Sequence, residues 1–244
     1  MKPHFIWKDQ SSLEFGIIIE KLPARIKPEL KGESIDVPGR SGTLFESEDA
    51  YKSKRIEMEC TLVPPGSMSQ SDIDEMLMQL PLWLDGFGKL ILSDYPEYYY
   101  EASIRSTIPI ERFFKRYRKF PLTFEVQPFS KSNQEYMIEK TITQEEPIYI
   151  KSHFPVSPIL EITGSGNITL NVNNQMIHIK ELADVITIDC EFMNATTNNG
   201  TVNANGKVNG LPLKLEAGTN IISVLLDNES TFESLKIKYR SWWI

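Results

Sequence analysis

The chain has 244 residues, of which 41% are hydrophobic and 24% are charged, and its formal net charge is −7. A globular chain of this length has room for two ordinary hydrophobic cores, so we expect two domains. Its acidic balance argues against a dedicated nucleic-acid binder, because such a protein needs a clustered positive surface to attract phosphates.

The first residues soon meet a charge and lack the run of about seven apolar residues that forms the core of a signal peptide. No apolar run in the sequence approaches the roughly 20 residues needed to span a bilayer. We therefore expect a soluble protein without a membrane span, made in a cytosol. Cys60 and Cys190 supply neither a disulfide framework nor a Cys-x-x-Cys metal pair, and we expect both to behave as small buried hydrophobes.

A turn is predicted at residues 37–44, where a proline and two glycines surround one arginine. Pro38 fixes φ near the value needed early in a turn, and Gly39 and Gly42 accept positive φ without a Cβ penalty. This geometry reverses the chain and leaves Arg40 pointing outward. The spacing does not fit a phosphate-binding loop, so the segment predicts a structural turn rather than a reaction.

Alternation of apolar and polar residues predicts β-strands at 56–62, 98–105 and 120–127. Pro121 indicates that the last strand begins at an edge or an irregularity of its sheet, because proline cannot donate a ladder hydrogen bond. The first half of the chain therefore reads as a sheet with one apolar face.

One segment interrupts the two-residue period and has the spacing of an amphipathic helix. Its apolar positions are Ile73, Met76, Leu77, Leu80 and Leu84. Ser69 and Ser71 are candidate N-caps, since each is followed three residues later by an aspartate, and Pro81 should bend or end the last turn. We expect the apolar stripe of this helix to pack on the sheet.

The pattern loosens at 131–146, and we place a linker there between a domain at 1–130 and a domain at 147–244. In the second domain, short strand candidates alternate with turn signals such as Asn205-Gly206 and Asn209-Gly210, which predicts a β-sandwich or jelly roll. The fold class is therefore mainly β. It comprises an N-terminal β-sandwich-like domain with one short helix and an extended hairpin arm, followed by a C-terminal β-sandwich.

The order of several motifs resembles the siphophage distal tail protein family, the hub proteins of long non-contractile phage tails. An opening strand ending at Glu14-Phe15-Gly16-Ile17 precedes Val37-Pro38-Gly39-Arg40, which is similar to the Val-Pro-Gly-Arg turn of that family. The further motifs, in chain order, are Trp83-Leu84 at the end of the helix, Gly88-Lys89-Leu90, Ser93-Asp94-Tyr95-Pro96-Glu97-Tyr98, Phe124-Glu125-Val126-Gln127-Pro128-Phe129, Leu215-Glu216-Ala217-Gly218-Thr219-Asn220-Ile221 and Tyr239-Arg240-Ser241-Trp242-Trp243-Ile244. Together they cover most of the chain.

The resemblance implies a homohexameric ring built by the N-terminal domains, with galectin-like or carbohydrate-module-like sandwiches projecting outward. Such a ring joins the tail tube protein to the tail-tip or fibre protein, and the outer sandwiches can hold receptor-binding proteins. The implied location is the tail tip of a virion.

The polar stretch between two strands, from Phe45 to Lys54, leads to the hypothesis of an arm that lies against the neighbouring subunit. A closed ring needs two different complementary patches on each subunit. Unpaired backbone groups of an extended arm can complete a shared sheet without any special side chain.

The concentrated positive patch of the sequence spans residues 112–119, with five basic and three aromatic residues. Two interpretations remain open. Stacking plus phosphate contact suits single-stranded nucleic acid, whereas a solvated hairpin end that docks onto an acidic neighbour fits one short patch in an acidic chain better. The candidate interface residues in this segment are Arg112, Lys115, Arg116, Arg118 and Lys119.

Aromatic side chains cluster at two places, Tyr95 with 98–100 and Trp242 with Trp243. They are either sugar-stacking platforms or mixed core and interface anchors, and we favour the second interpretation. Trp242 and Trp243 cannot both point inward if they extend a strand, so we expect one beneath the sandwich and the other against solvent, the first domain or a partner. A carbohydrate-binding module that contacts the host cell surface is the alternative function.

His4, His153 and His178 are too few and too scattered to indicate a zinc site. The sequence has no nucleophile elbow, metal motif or phosphate loop. We therefore expect no enzyme, no metal and no cofactor. A cell-wall glycosidase that uses two carboxylates is the least favoured class, because sequence gives no distance between carboxylates.

Overall fold

A computed structural model of the chain describes residues 2–63, 68–105, 118–197 and 200–244. The chain divides into two units, one reaching to Lys131 together with Ile244 and the other comprising Ser132–Trp243. The described part is mainly β, as predicted, with one α-helix.

The described part of the first unit contains ten strands and the helix, and six of the strands are seven to nine residues long. They are β1 (Phe5–Trp7), β2 (Gln10–Ser11), β3 (Ile17–Ile19), β4 (Leu30–Asp36), β5 (Thr43–Tyr51), β6 (Lys54–Leu62), α1 (Gln70–Trp83), β7 (Gly86–Leu92), β8 (Tyr98–Ile104), β9 (Arg118–Val126) and β10 (Ser130–Ser132).

A curled antiparallel sheet runs in the order β2-β1-β7-β8-β9-β6-β3. The alternation predicted for residues 56–62 is confirmed, because every second side chain from Ile56 to Leu62 is buried in the core. Pro121 lies opposite Glu59 of β6, whereas the described pairing of β9 with β8 is confined to Val126 and Glu125. The proline therefore occupies a stretch of β9 where no β8 partner requires its missing N–H.

Helix α1 begins with a capping box, in which Ser69 and Asp72 each bond the other's main-chain N–H. Met76 and Leu80, two residues of the predicted apolar stripe, are buried in the core. Pro81 lies inside the helix, which ends two residues later at Trp83. The end of the helix is fastened to β1, because the Trp7 and Trp83 indoles each donate to the other residue's carbonyl, at 2.9 and 3.2 Å.

The second unit contains eleven strands and a short 3-10 helix at Asn205–Lys207. The strands are β11 (Tyr136–Lys140), β12 (Glu146–Ile150), β13 (Ile159–Val172), β14 (Gln175–Leu182), β15 (Val185–Asp189), β16 (Asn194–Thr197), β17 (Val202–Asn203), β18 (Val208–Gly210), β19 (Gly218–Leu226), β20 (Thr231–Tyr239) and β21 (Trp242–Trp243).

Strand β13 belongs to two sheet layers at once. Its first part, from Ile159, pairs with β15 and β20, and its last part, to Val172, pairs with β14 and β19. The register shifts near Gly164 and Gly166, and Gly166 has φ of +84°, which a side chain would strain. The two layers enclose one apolar core, and the galectin-like arrangement implied by the resemblance stays a prediction.

The segment 131–146, expected as a linker, contains strand β11, which pairs with β20 along its whole length. Tyr136 and Ile138 pack against the core of the second unit, so this segment is part of that unit's sheet. The turn predicted at Asn205-Gly206 is confirmed as a single 3-10 turn, in which the Lys207 N–H donates to the Ala204 carbonyl at 2.9 Å. Asn209-Gly210 differs from expectation, since it ends β18.

Candidate functional site

A two-stranded hairpin, β4 with β5, forms a sheet of its own in the first unit. The loop 37–42 joins the two strands. Within it, the Arg40 N–H donates to the Val37 carbonyl at 3.1 Å, and Gly39 has φ of +81°. Proline at the second position and a glycine of positive φ at the third are the signature of a type II turn. Arg40 is exposed at the tip.

The hairpin has no buried face. Every residue from Glu33 to Asp49 is exposed, including the apolar side chains of Ile35, Val37, Leu44 and Phe45. A two-stranded hairpin alone is marginally stable in water, because it buries little apolar surface. We call this segment the arm (residues 30–51). It exposes apolar side chains that packing against another surface would stabilise.

One face of the arm combines apolar and acidic side chains. Ile35 lies opposite Leu44 in the register, and Glu33 lies opposite Glu46 two residues further from the tip. Like charges in directly opposed positions repel. Neither carboxylate forms an ion pair with any residue in the described part of the chain.

The base of the arm is held by several contacts. Lys52 pairs with Glu29 through both a main-chain hydrogen bond and an ion pair, each 2.8 Å long. Lys54 is only 8% exposed, and its ammonium donates to the Ile26 carbonyl at 3.0 Å. Burial, with a smaller contribution from the charge of Arg25, lowers the pKa of Lys54. These contacts fix the chain on both sides of the hairpin.

A groove of about 550 Å³ lies on the outer face of β7, β8 and β9. Phe87, Ser103 and Glu125 form one cross-strand row in it, and Phe87 is 70% exposed. The Arg105 guanidinium stands 4.9 Å from the centre of the Phe87 ring. Among the described residues, no carboxylate forms an ion pair with Arg105. Sequence reasoning missed this groove, although Phe87 stands between two glycines.

The predicted basic patch lies largely outside the described residues, which applies to Arg112, Lys115 and Arg116. Arg118 begins β9. Lys119 forms an ion pair of 2.6 Å with Glu20, and this contact lowers the pKa of Glu20 and raises that of Lys119.

The two C-terminal tryptophans are both half-buried within β21. Trp242 packs against the core of the second unit. The ring of Trp243 lies 4.2 Å from that of His153.

The tyrosine cluster is engaged by cations. The Arg25 guanidinium lies 3.5 Å from the centre of the Tyr95 ring, and the Lys89 ammonium lies 4.3 Å from that of Tyr99. These contacts occupy ring faces that a stacked sugar would need.

The described residues contain no group of three or more His, Cys, Asp or Glu side chains that could hold a metal ion. Cys60 and Cys190 are buried, and burial raises the pKa of their thiols to about 12 and about 11 respectively. Within the same residues, no helix has the length and apolar character required to cross a membrane.

Comparison with known proteins gives a family and a fold. Residues 8–126 match the family described as phage tail protein RIFT-related domain. The Dit protein of phage SPP1, described as a paradigm of the hub adsorption apparatus in phages that infect Gram-positive bacteria, superposes with a TM-score of 0.81, 11% identity and full coverage of both chains. The baseplate of phage p2 in its activated conformation gives a TM-score of 0.48, with 9% identity over 98% of each chain. A search of curated proteins found no match.

Proposed function

We propose that the chain is a structural hub of a siphophage tail tip, because its residues 8–126 match the phage tail protein RIFT-related domain family. The observation that carries the proposal is the arm, an exposed two-stranded hairpin on the matched domain. A fold shared along the whole chain with a phage hub protein supports it.

We propose that six copies close into a ring through the arm. A subunit that projects an arm on one side and receives an arm on the other makes a heterologous contact, which generates a ring when the rotation closes. The apolar residues of the arm, such as Ile35 and Leu44, are then covered in the assembly. The exposed strand edges of the arm add main-chain hydrogen bonds.

The proposed partners are the tail tube protein on one ring face and the tail-tip or fibre protein on the other. The second unit is proposed to hold a receptor-binding protein. In this role the protein binds by surface contact and catalyses no reaction. Stable nucleic-acid binding and sugar binding are not part of the proposal, because the chain is acidic and cations cover Tyr95 and Tyr99.

Removal of the arm tests the ring. Since Gly32 and Ser47 face each other in the hairpin, residues 33–46 can be replaced by Asn-Gly, which closes a two-residue turn. We expect the truncated chain to fold and to remain monomeric in light scattering at concentrations where the intact chain forms a six-subunit species. Leu211→Ser, at a site 83% exposed in the second unit, is the control and should assemble normally. Assembly of the truncated chain at the normal concentration would contradict the proposal.

The location is tested on particles. We expect an antibody against this chain to label purified virions at the junction of tail tube and tip in electron micrographs. Label along the tube or on the capsid would contradict a role as tail-tip hub.

A further inference from the structure

The groove on the outer face of β7–β9 lies beside the base of the arm. Ser53, which lines the groove, follows Lys52 at the point where the arm rejoins the sheet. No residue of the arm itself lines the groove among those described. With seven residues in β4, the tip stands roughly 23 Å from the base at the usual rise of a strand. In this structure the arm of a chain therefore does not fill that chain's own groove.

The chemistry of the groove matches that of the acidic and apolar face of the arm. The groove offers an exposed aromatic ring, Phe87, with the Arg105 guanidinium lying over it, and in the described part of the chain this guanidinium has no carboxylate partner. The arm offers an aliphatic pair, Ile35 with Leu44, and a carboxylate pair, Glu33 with Glu46. The two surfaces are therefore chemically complementary, since an aromatic ring packs against aliphatic groups and a guanidinium pairs with carboxylates.

The groove has its own carboxylates, and among the described residues only one of them is neutralised by an ion pair, so the acidic face of the arm must lie towards Arg105 and away from Glu125. Glu101 is already paired with Lys131 at 2.9 Å. Glu125 accepts a hydrogen bond of 3.4 Å from Ser53 and is exposed. The arm also carries one cation at its tip, Arg40. This side chain can form a second contact between opposite charges at the far end of the groove.

We propose that the groove is the socket for the arm of a second copy of this chain, with Ile35 and Leu44 on Phe87 and with Glu33 and Glu46 on Arg105. This inference rests on the proposed role of the arm and adds to it the surface that receives the arm. The socket adjoins the base of the recipient's own arm. In the ring, a docked arm therefore lies beside the base of the arm that the recipient extends to the following subunit.

Cysteine trapping tests the socket directly. Purified Leu44→Cys and Phe87→Cys chains are mixed at a concentration at which the wild-type chain assembles, and then oxidised. We expect a disulfide-linked dimer that forms only when both variants are present. Leu44→Cys mixed with Tyr149→Cys is the matched control, because Tyr149 is 67% exposed but lies in the second unit. The two native thiols are buried and should not compete.

A charge exchange provides the second test. We expect Arg105→Glu, or Glu33→Lys with Glu46→Lys, to raise the concentration needed for assembly by at least about tenfold, because like charges are then brought together. The triple variant, which carries both changes, should recover most of that loss. A disulfide between residues 44 and 87, together with this recovery, supports the socket.

The outcomes separate the socket from the role of the arm. If the arm truncation abolishes assembly but Arg105→Glu leaves it unchanged, the arm binds elsewhere and the socket is wrong. If the truncated chain still assembles, the proposed role of the arm fails first. A mixture that yields no disulfide-linked dimer, or as much dimer with Tyr149→Cys as with Phe87→Cys, also overturns the inference.

Discussion

Phe45 of β5 lies across Gly32 of β4, and a Cβ at residue 32 would stand 2.7 Å from the Cζ atom of that ring. The same Cβ would also collide with the Glu46 carbonyl. Because Gly32 has no side chain, the Phe45 ring can pack directly on the backbone of the arm, where no core lies beneath it.

Gly32→Ala is expected to disorder the arm without unfolding the first unit, since the added methyl must displace the Phe45 ring and the backbone of β5. We expect faster amide hydrogen exchange across residues 33–46 and an unchanged melting temperature for the sheet. Ser34→Ala, at the exposed position opposite Phe45, is the control and should leave exchange as it is. Equal exchange rates in the two variants would contradict this account.

Trp83→Phe is expected to lower the free energy of unfolding of the first unit by about 1–3 kcal/mol, because it removes one indole donor and leaves the Trp7 carbonyl buried without it. Urea denaturation with Cys60 as the reporter thiol measures the effect. Leu82→Ala, at a helix position 78% exposed, is the control and should change stability little. Similar losses in the two variants would contradict the role of the paired indoles.

The two thiols should react slowly with thiol reagents in the folded protein, because burial raises the pKa of Cys60 to about 12 and of Cys190 to about 11. A thiol whose pKa is raised on folding favours the folded state below the unfolded pKa, which is about 8.5, and this contribution is lost as the pH rises towards the folded value. We therefore expect slow labelling by a thiol reagent at pH 7–8 and growing instability above pH 9. Fast labelling of either residue at pH 7 would contradict its burial.

Lys54→Met is expected to loosen the chain that enters the arm, because it removes the donor to the Ile26 carbonyl while keeping the apolar stem. Loss of one such bond should speed amide exchange at residues 23–29 by roughly five- to tenfold. Lys52→Met removes an ion pair in which both partners are half or more exposed, and its effect should be smaller. An equal or larger effect of the Lys52 change would show that Lys54 does not hold the base.

The sequence predicts those parts of the fold in which one face is buried. Ile56–Leu62 and the stripe of α1 show a period because a core selects every second, or every third and fourth, side chain. Strand β4 has no such period, since both of its faces are exposed. The sequence therefore predicts the arm at 45–54, whereas in the structure it spans 30–51.

Other differences have the same kind of cause. Residues 211–215 have strand-like composition, yet in the described structure this stretch contributes only an isolated bridge between Leu215 and Val156. Gly210 looks like a turn residue because of the Asn before it, but it ends β18, where a Cβ would stand 3.3 Å from the Cα of Ile177. Local propensity does not reveal such tertiary contacts. The groove at Phe87 is formed by side chains of three paired strands together with Ser53, so no local pattern could indicate it.

The shared strand β13 has a mechanical consequence. Displacement of β13 would break hydrogen bonds to β14, β15, β19 and β20 at the same time. Rupture would then require many bonds to break together rather than one after another. A strand that serves two layers thus couples the rupture of one layer to that of the other.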